Sequence, residues 1–192
     1  MSHDPVTLVT RAADFAARAH IAQQRKGLAG EPYVNHLTEV AALLAEATGG
    51  TDAELVAAGY LHDTLEDTAV RYEDLSAQFG AEIAQLVAEV TDDKSLPKAE
   101  RKRLQVATVT KKSARAQLLK IADKTSNLRS LVASPPAGWS KARLLEYVDW
   151  AEAVVCQVEG RNQVLDRAFA AARDNARREI SAKVDQEDHD AS

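Results

Sequence analysis

Apolar residues recur every three to four positions through most of the chain, the spacing that gathers them on one face of an α-helix. Over 6–24 the stripe is Leu8, Ala12, Phe15, Ala19 and Ala22, and Asp4 followed by Pro5 supplies an N-cap and a first-turn proline. Turn formers in Lys26-Gly-Leu-Ala-Gly-Glu-Pro32 interrupt the period, and a second helix is predicted over 35–48, stopping at Gly49-Gly50. Thr51-Asp-Ala-Glu54 has the capping-box pattern and opens a third helix over 53–66. Its stretch Leu55-Val-Ala-Ala-Gly-Tyr-Leu61 is apolar nearly all round and is therefore expected to lie deep in the fold. Shorter helices are predicted over 72–79, ending at Gly80, and over 81–90. Further helices follow over 97–111 and over 114–132, ahead of Pro135-Pro136, with one long helix from 140 into the 170s. Valines and isoleucines sit inside Ala-rich helical periods instead of alternating with polar residues, so the predicted fold class is all-α, a compact helical bundle. Residues 1–180 are expected to form one domain. Residues 181–192, polar and mostly acidic without an apolar period, are expected to be a disordered tail.

Composition narrows the function classes. A chain of 192 residues with 45% hydrophobic and 28% charged residues fits one globular core. Its net charge of −5 excludes a wholly basic nucleic-acid coat. A single cysteine, Cys156, excludes an internal disulfide and a zinc site built on several thiolates, and suits a reducing cytoplasm. The first residues lack a basic region followed by an apolar run, and no stretch approaches the roughly 18 apolar residues of a membrane span. A cytoplasmic protein without a membrane partner is expected.

Several polar groups stand where the apolar pattern leads one to expect a core. His62-Asp63 directly follows the deepest apolar run, and Glu66-Asp67 comes four residues later, so helical spacing stacks His62 on Glu66 and Asp63 on Asp67. Asp123 and Asn127 are likewise four apart beside Ile121 and Leu128, and His36 opens the helix whose inner face carries Val40, Leu43 and Leu44. Each group alone has an ordinary reading: a helix-terminal histidine, a surface His-Asp doublet, an Asp123 paired with Lys120 or Lys124. Together, His36, His62, Asp63 and Asp123 can converge from three helices. Buried carboxylates in close proximity call for positive charge, and two imidazoles with two carboxylates suit manganese, iron or zinc better than calcium.

Charge is also segregated. Residues 94–129 hold eleven Lys and Arg against two acids, a net of +9, while the rest of the chain carries −14, which together make the overall −5. Lys98, Arg101 and Lys102 share one helix face, and Arg25-Lys26 lies in the loop before His36. A metal beside a basic rim fits a phosphate ester, whose transition state concentrates negative charge on oxygen. Nucleic acid is disfavoured as a partner, because aromatics make up only 5% of the chain and do not interleave with the basic residues; a small phosphorylated ligand is expected.

These residues fall into blocks that resemble a known family. Arg25-Lys-Gly…Gly-Glu-Pro-Tyr-Val-Asn-His36, Leu61-His-Asp-Thr-Leu-Glu-Asp-Thr68 and Ile121-Ala-Asp-Lys-Thr-Ser-Asn-Leu-Arg129 are similar to successive signatures of the HD-domain hydrolase of the RelA/SpoT alarmone family. Glu89-Val-Thr-Asp-Asp-Lys, Leu96-Pro-Lys, Glu100-Arg-Lys-Arg-Leu-Gln105 and Gly138-Trp-Ser further resemble its stand-alone members, the small alarmone hydrolases. The resemblance implies a helical HD domain without synthetase or regulatory domains. It also implies manganese-dependent removal of the 3′-pyrophosphate of ppGpp or pppGpp, giving GDP or GTP plus pyrophosphate. By motif match His36, His62, Asp63 and Asp123 would bind the metal, and Glu66 and Asp67 would position and activate the attacking water. Asn127 would orient substrate or pyrophosphate, Arg25 would cover the guanine face, and Lys26 would add charge. Tyr33, Lys98, Arg101, Arg143 and Tyr147 are the remaining pocket candidates. The alternatives are a phosphatase for another nucleotide such as NADPH, and a catalytically silent alarmone sensor. One departure is Leu37, where the family usually has proline after the ligand histidine.

Overall fold

Three serines and aspartates placed at helix starts begin much of the architecture. Asp4 accepts from the Thr7 N–H at 3.0 Å, Asp52 from the Leu55 N–H at 3.0 Å and Ser113 from the Ala116 N–H at 3.2 Å. The computed structural model describes residues 4–182, and among these every regular element is helical. The order is α1 (Pro5–Ala19), α2 (Val34–Ala47), α3 (Ala53–Leu61), α4 (Thr64–Asp67), α5 (Tyr72–Phe79) and α6 (Ala81–Val90). It continues with α7 (Lys98–Thr108), a 3₁₀ turn at Val109–Lys111, α8 (Ala114–Ala133), α9 (Lys141–Val155) and α10 (Gln163–Ala182).

The all-α expectation is met, with four local differences. The first helix ends at Ala19, because the following segment pairs with itself: Arg25 N–H donates to the Glu31 carbonyl at 2.8 Å and Tyr33 N–H to that of Gln23 at 3.0 Å. Asp52, not Thr51, caps α3, and the Thr51 hydroxyl instead donates to the Thr48 carbonyl at 2.7 Å. The third helix breaks after Leu61. There the His62 ring takes the Gly59 carbonyl at 2.8 Å and the Thr64 hydroxyl takes that of Leu61 at 2.6 Å, so side chains compete for the acceptors that continued helix would use. The long final helix is two helices: Gly160 adopts φ +87°, and Asn162 Oδ1 accepts from Val164 and Leu165 N–H at 3.0 and 3.2 Å to restart the chain as α10. α10 includes Ser181 and Ala182; the rest of the expected acidic tail, 183–192, lies outside the described residues.

Two central helices position the site. α3 buries Leu55, Val56, Ala57, Ala58, Gly59 and Leu61 between α1, α2, α6 and α8. A Cβ at Gly59 would meet Ala41 Cα at 3.1 Å and Leu44 Cδ1 at 2.9 Å, so the bare backbone there lets α2 and α3 approach closely. α8 crosses the middle of the molecule, packing on α2, α6, α9 and α10, and buries polar residues among its apolar ones: Lys120, Asp123, Lys124, Thr125 and Ser126. Leu61, fully buried at the end of α3, seats the break that follows. Leu61→Ala is expected to lower stability by about 2–5 kcal/mol through lost transfer energy and a residual cavity, read from urea unfolding at an unchanged m-value.

Candidate active site

Three segments bring the predicted ligands together. His36 comes from the first turn of α2, His62 and Asp63 from the break after α3, and Asp123 from mid-α8. His36, His62 and Asp123 each offer a ligand atom, all within 4.8 Å of one another. Asp63 adjoins them, its Oδ2 3.1 Å from His62 Nε2 and 3.7 Å from His36 Nε2. Asp123 Oδ1 is 3.4 Å from His36 Nε2.

Hydrogen bonds orient the rings. His62 Nδ1 donates to the Gly59 carbonyl at 2.8 Å, which turns the buried Nε2 toward Asp63 and away from any aligned hydrogen-bond partner. His36 Nδ1 lies 2.8 Å from Ser126 Oγ, leaving Nε2 turned toward the carboxylates. Tyr33 donates its hydroxyl to Asp63 Oδ2 at 2.6 Å, while Asn127 Nδ2 donates to Asp123 Oδ1 at 2.6 Å and Lys124 Nζ to Asp123 Oδ2 at 2.9 Å. Thus Asp123 does pair with Lys124, the ordinary reading, yet it also faces His36.

Burial disfavours the charged form of every group here, and the neighbours decide the outcome. It lowers the His36 pKa, with the nearby carboxylates opposing only in part. For His62 burial is again the largest influence, but Asp63, Asp123 and the Gly59 carbonyl together outweigh it and raise the pKa. Burial works against ionising Asp63, but the two imidazoles hold its carboxyl below the usual range; for Asp123, Lys124 and the same rings do so. Two buried imidazole nitrogens turned toward two carboxylates, one of them without an aligned hydrogen-bond partner, fit a divalent cation held by nitrogen and oxygen.

Glu66 and Asp67 part company beyond the break. Glu66 Oε2 accepts from the Asp92 N–H at 3.1 Å and Oε1 from Arg101 at 3.4 Å. Burial raises the Glu66 pKa, and the neighbouring acids add to this. Asp67 pairs with Lys94 and accepts from Gln23 Nε2 at 3.2 Å, and Gln23 in turn takes His20 Nδ1 at 2.6 Å. The predicted ridge of stacked pairs is therefore absent: the chain turns at 62–63, and Glu66 and Asp67, neighbours within α4, point to different partners.

A cavity of about 290 Å³ opens beside this cluster, lined by Arg25, Lys26, Tyr33, Asp67, Asn127 and Tyr147 among others. Arg25 donates to Asn127 Oδ1 at 3.0 Å. Lys98 and Trp139 line both this cavity and a neighbouring one of about 300 Å³ with Lys102 and Arg143. Arg101 lines neither, being engaged with Glu66. Burial lowers the Lys98 pKa, as do Lys26, Lys102 and Arg143 nearby. Tyr147 is packed between Trp139 and Trp150, with ring centroids 5.9 and 5.2 Å away, and burial pushes its hydroxyl up to about 12.

Trp139 and Gln23 were not singled out from the sequence. Trp139 stood in the quoted Gly138-Trp-Ser block, which was the available signal; Gln23 gave none, since it reads as a polar position on α1's continuation. The expectation that aromatics do not accompany the basic residues holds along the chain but not in space. Arg143 lies 4.4 Å and Lys98 5.8 Å from the Trp139 ring centre, and Lys102 and Lys124 sit 4.9 and 4.5 Å from that of Trp150.

A model of the HD domain matches residues 12–148 of this chain. Human guanosine-3′,5′-bis(diphosphate) 3′-pyrophosphohydrolase MESH1 is 49% identical over 158 residues, covering 82% of this chain and 88% of that protein. The Drosophila melanogaster MESH1 is 45% identical over 152 residues, covering 79% and 85%. A solved structure described as a metazoan ortholog of SpoT that hydrolyzes ppGpp superposes with a TM-score of 0.84 at 40% identity, over 89% of this chain and 96% of that one. The chain belongs to the HD-domain family, within the group that includes the MESH1 proteins.

The loop carrying Arg25 and Lys26 is fastened to the end of α8. Leu28 N–H donates to the Pro135 carbonyl at 3.2 Å and Ala29 N–H to Ser134 Oγ at 2.9 Å. A Cβ on Gly27 would stand 2.3 Å from the Ser134 carbonyl oxygen, so only glycine permits this approach. Gly27→Ala is expected to lift the loop, seen as faster amide exchange at Leu28 and Ala29 with exchange in α3 unchanged.

Proposed function

We propose that this protein hydrolyses the 3′-pyrophosphate of ppGpp or pppGpp, giving GDP or GTP and pyrophosphate, with manganese held by His36, His62, Asp63 and Asp123. The observation that carries this reading is the His–His–Asp cluster lying behind Tyr33 and Asn127 of a cavity walled also by Arg25, Lys26, Lys98 and Asp67. The similarity to MESH1 proteins, named for this reaction, supports the substrate. A divalent cation there supplies Lewis-acid stabilisation of phosphoryl charge and makes water easier to deprotonate.

The chain's own residues do the rest. Water attacks the phosphorus next to the ribose 3′-oxygen, the bond from that phosphorus to the 3′-oxygen breaks, and the 3′-oxygen gains a proton from solvent. Glu66 and Asp67 receive the water's proton and hold the water in line. The raised pKa of Glu66 makes it a stronger base than an ordinary glutamate, closer to neutral pH. Arg25 stacks its planar guanidinium on the guanine, and its bond to Asn127 fixes that plane relative to the metal ligand Asp123. Tyr33 holds Asp63 from the cavity side. Lys26, Lys98 and Arg143 attract the phosphates. Arg101 acts through Glu66 in this reading, as its ion pair indicates. A cytoplasmic setting is supported by the single cysteine and by the lack, among the described residues, of a helix long and apolar enough to cross a membrane.

Incubation with manganese and ppGpp is expected to release pyrophosphate and GDP; release of orthophosphate alone would contradict the assigned bond. Asp63→Ala is expected to lose metal and turnover together. Glu66→Ala keeps metal and fold but loses about 10²-fold or more in kcat, the scale of acid–base catalysis. Equal metal loss in both variants would overturn this division. Arg25→Ala raises KM with bound metal unchanged; loss of metal there would remove the stacking role.

A further inference from the structure

The two candidate imidazoles are oriented by different means. His62 is held by a backbone carbonyl, which no substitution removes. His36 depends on side chains alone. Its Nδ1 is 2.8 Å from Ser126 Oγ, and the Ser126 hydroxyl donates to Glu39 Oε2 at 2.6 Å. Arg129 donates to the other oxygen, Glu39 Oε1, at 2.9 Å. Ser126 and His36 are both buried, and the relay runs from α8 to α2 and back to α8, ending at the half-exposed Arg129–Glu39 pair.

Proton counting gives this relay a direction. A hydroxyl carries one proton, and a carboxylate can only accept, so the Ser126 proton points at Glu39. Only lone pairs of Oγ then face His36, whose Nδ1 must carry the hydrogen. Nε2 is left bare, aimed at Asp123 and Asp63. Without the relay the opposite tautomer gains: an Nε2–H would find those two carboxylates at 3.4 and 3.7 Å, and a cation would have to displace that bond.

We infer that Glu39 and Ser126 are positioning residues that set the tautomer of His36 and thereby the divalent-metal affinity of the site. This rests on the reading of His36 as a ligand. Partners of this kind typically contribute about 10–100-fold to metal affinity. Glu39→Gln is the sharpest probe, because it preserves shape. Arg129 keeps the amide oxygen, so the amide NH₂ turns to Ser126, whose hydroxyl then donates to His36 Nδ1; that nitrogen becomes an acceptor and the ring's hydrogen sits on Nε2.

The test has two readouts on the full-length protein. Nitrogen-15 chemical shifts of the His36 ring, recorded without added metal, are expected to show Nδ1–H in the parent and Nε2–H in Glu39→Gln. Manganese titration followed by the electron paramagnetic resonance of free Mn²⁺ is expected to show about 10–100-fold weaker binding in Glu39→Gln and Ser126→Ala, with Ser126→Thr close to the parent. Thermal melts confirm that the variants remain folded; should Ser126→Ala not fold, Glu39→Gln alone decides. An unchanged tautomer with unchanged manganese affinity in Glu39→Gln overturns the inference. If His36→Ala binds manganese like the parent, the ligand assignment itself fails and the inference falls with it, whatever the tautomer.

Discussion

Two carboxylates and two imidazoles packed at the meeting of three chain segments impose the governing constraint: charge removed from water must be answered by charge or hydrogen bonds. Lys124 answers one oxygen of Asp123, and Tyr33 answers Asp63. What remains unanswered is the inward side of the cluster, where His62 Nε2 has no aligned hydrogen-bond partner and Asp63 stands 3.1 Å away. An unsatisfied interior of this kind is costly in a structural role and useful in a metal centre. The surrounding fold is arranged to hold that arrangement still. Gly59 brings α2 against α3, Leu61 seats the break that turns His62 and Asp63 inward, and α8 presents Asp123, Ser126 and Asn127 from one length of helix.

Most of the fold was legible because its signals are local. Helical apolar periods and capping residues mark α2, α5, α6 and α8 nearly to their ends, and the all-apolar run of α3 announces its burial. The misreadings share a physical cause. The breaks after Ala19, Leu61 and Val155 arise from side chains and loops that take over backbone hydrogen bonds, and periodicity does not register that competition. The Thr51 pattern failed for the same reason, since Asp52 one residue later offered the better acceptor.

The site was legible to a different depth at each layer. His36, His62, Asp63 and Asp123 stand out as polar residues where an apolar face is due, so the sequence itself flags them. Glu66 and Asp67 were visible as a pair, but their divergent anchoring by Arg101 and Lys94 depends on elements some 30 residues away and has no local signature. Glu39 and Ser126 look like an ordinary helix-surface acid and a small helix residue until α2 and α8 are laid together. The aromatic ring set of Trp139, Tyr147 and Trp150 likewise becomes a companion to the basic residues only when α9 docks beside α7.

The arrangement joins a packed interior to a basic rim. His36 and Asp123 lie on packed helices and His62 and Asp63 at the buried break between α3 and α4, while Arg25 and Lys26 ride on a loop pinned to the end of α8 through Gly27. Substrate charge can thus be gathered at the rim while the reacting geometry is set inside. The most direct measurement is anomalous scattering at the manganese edge from crystals grown with Mn²⁺. The account predicts one peak within coordination distance of His36 Nε2, His62 Nε2, Asp63 and Asp123. A cluster without a peak, or a peak ligated elsewhere with these four side chains left apart, would contradict it.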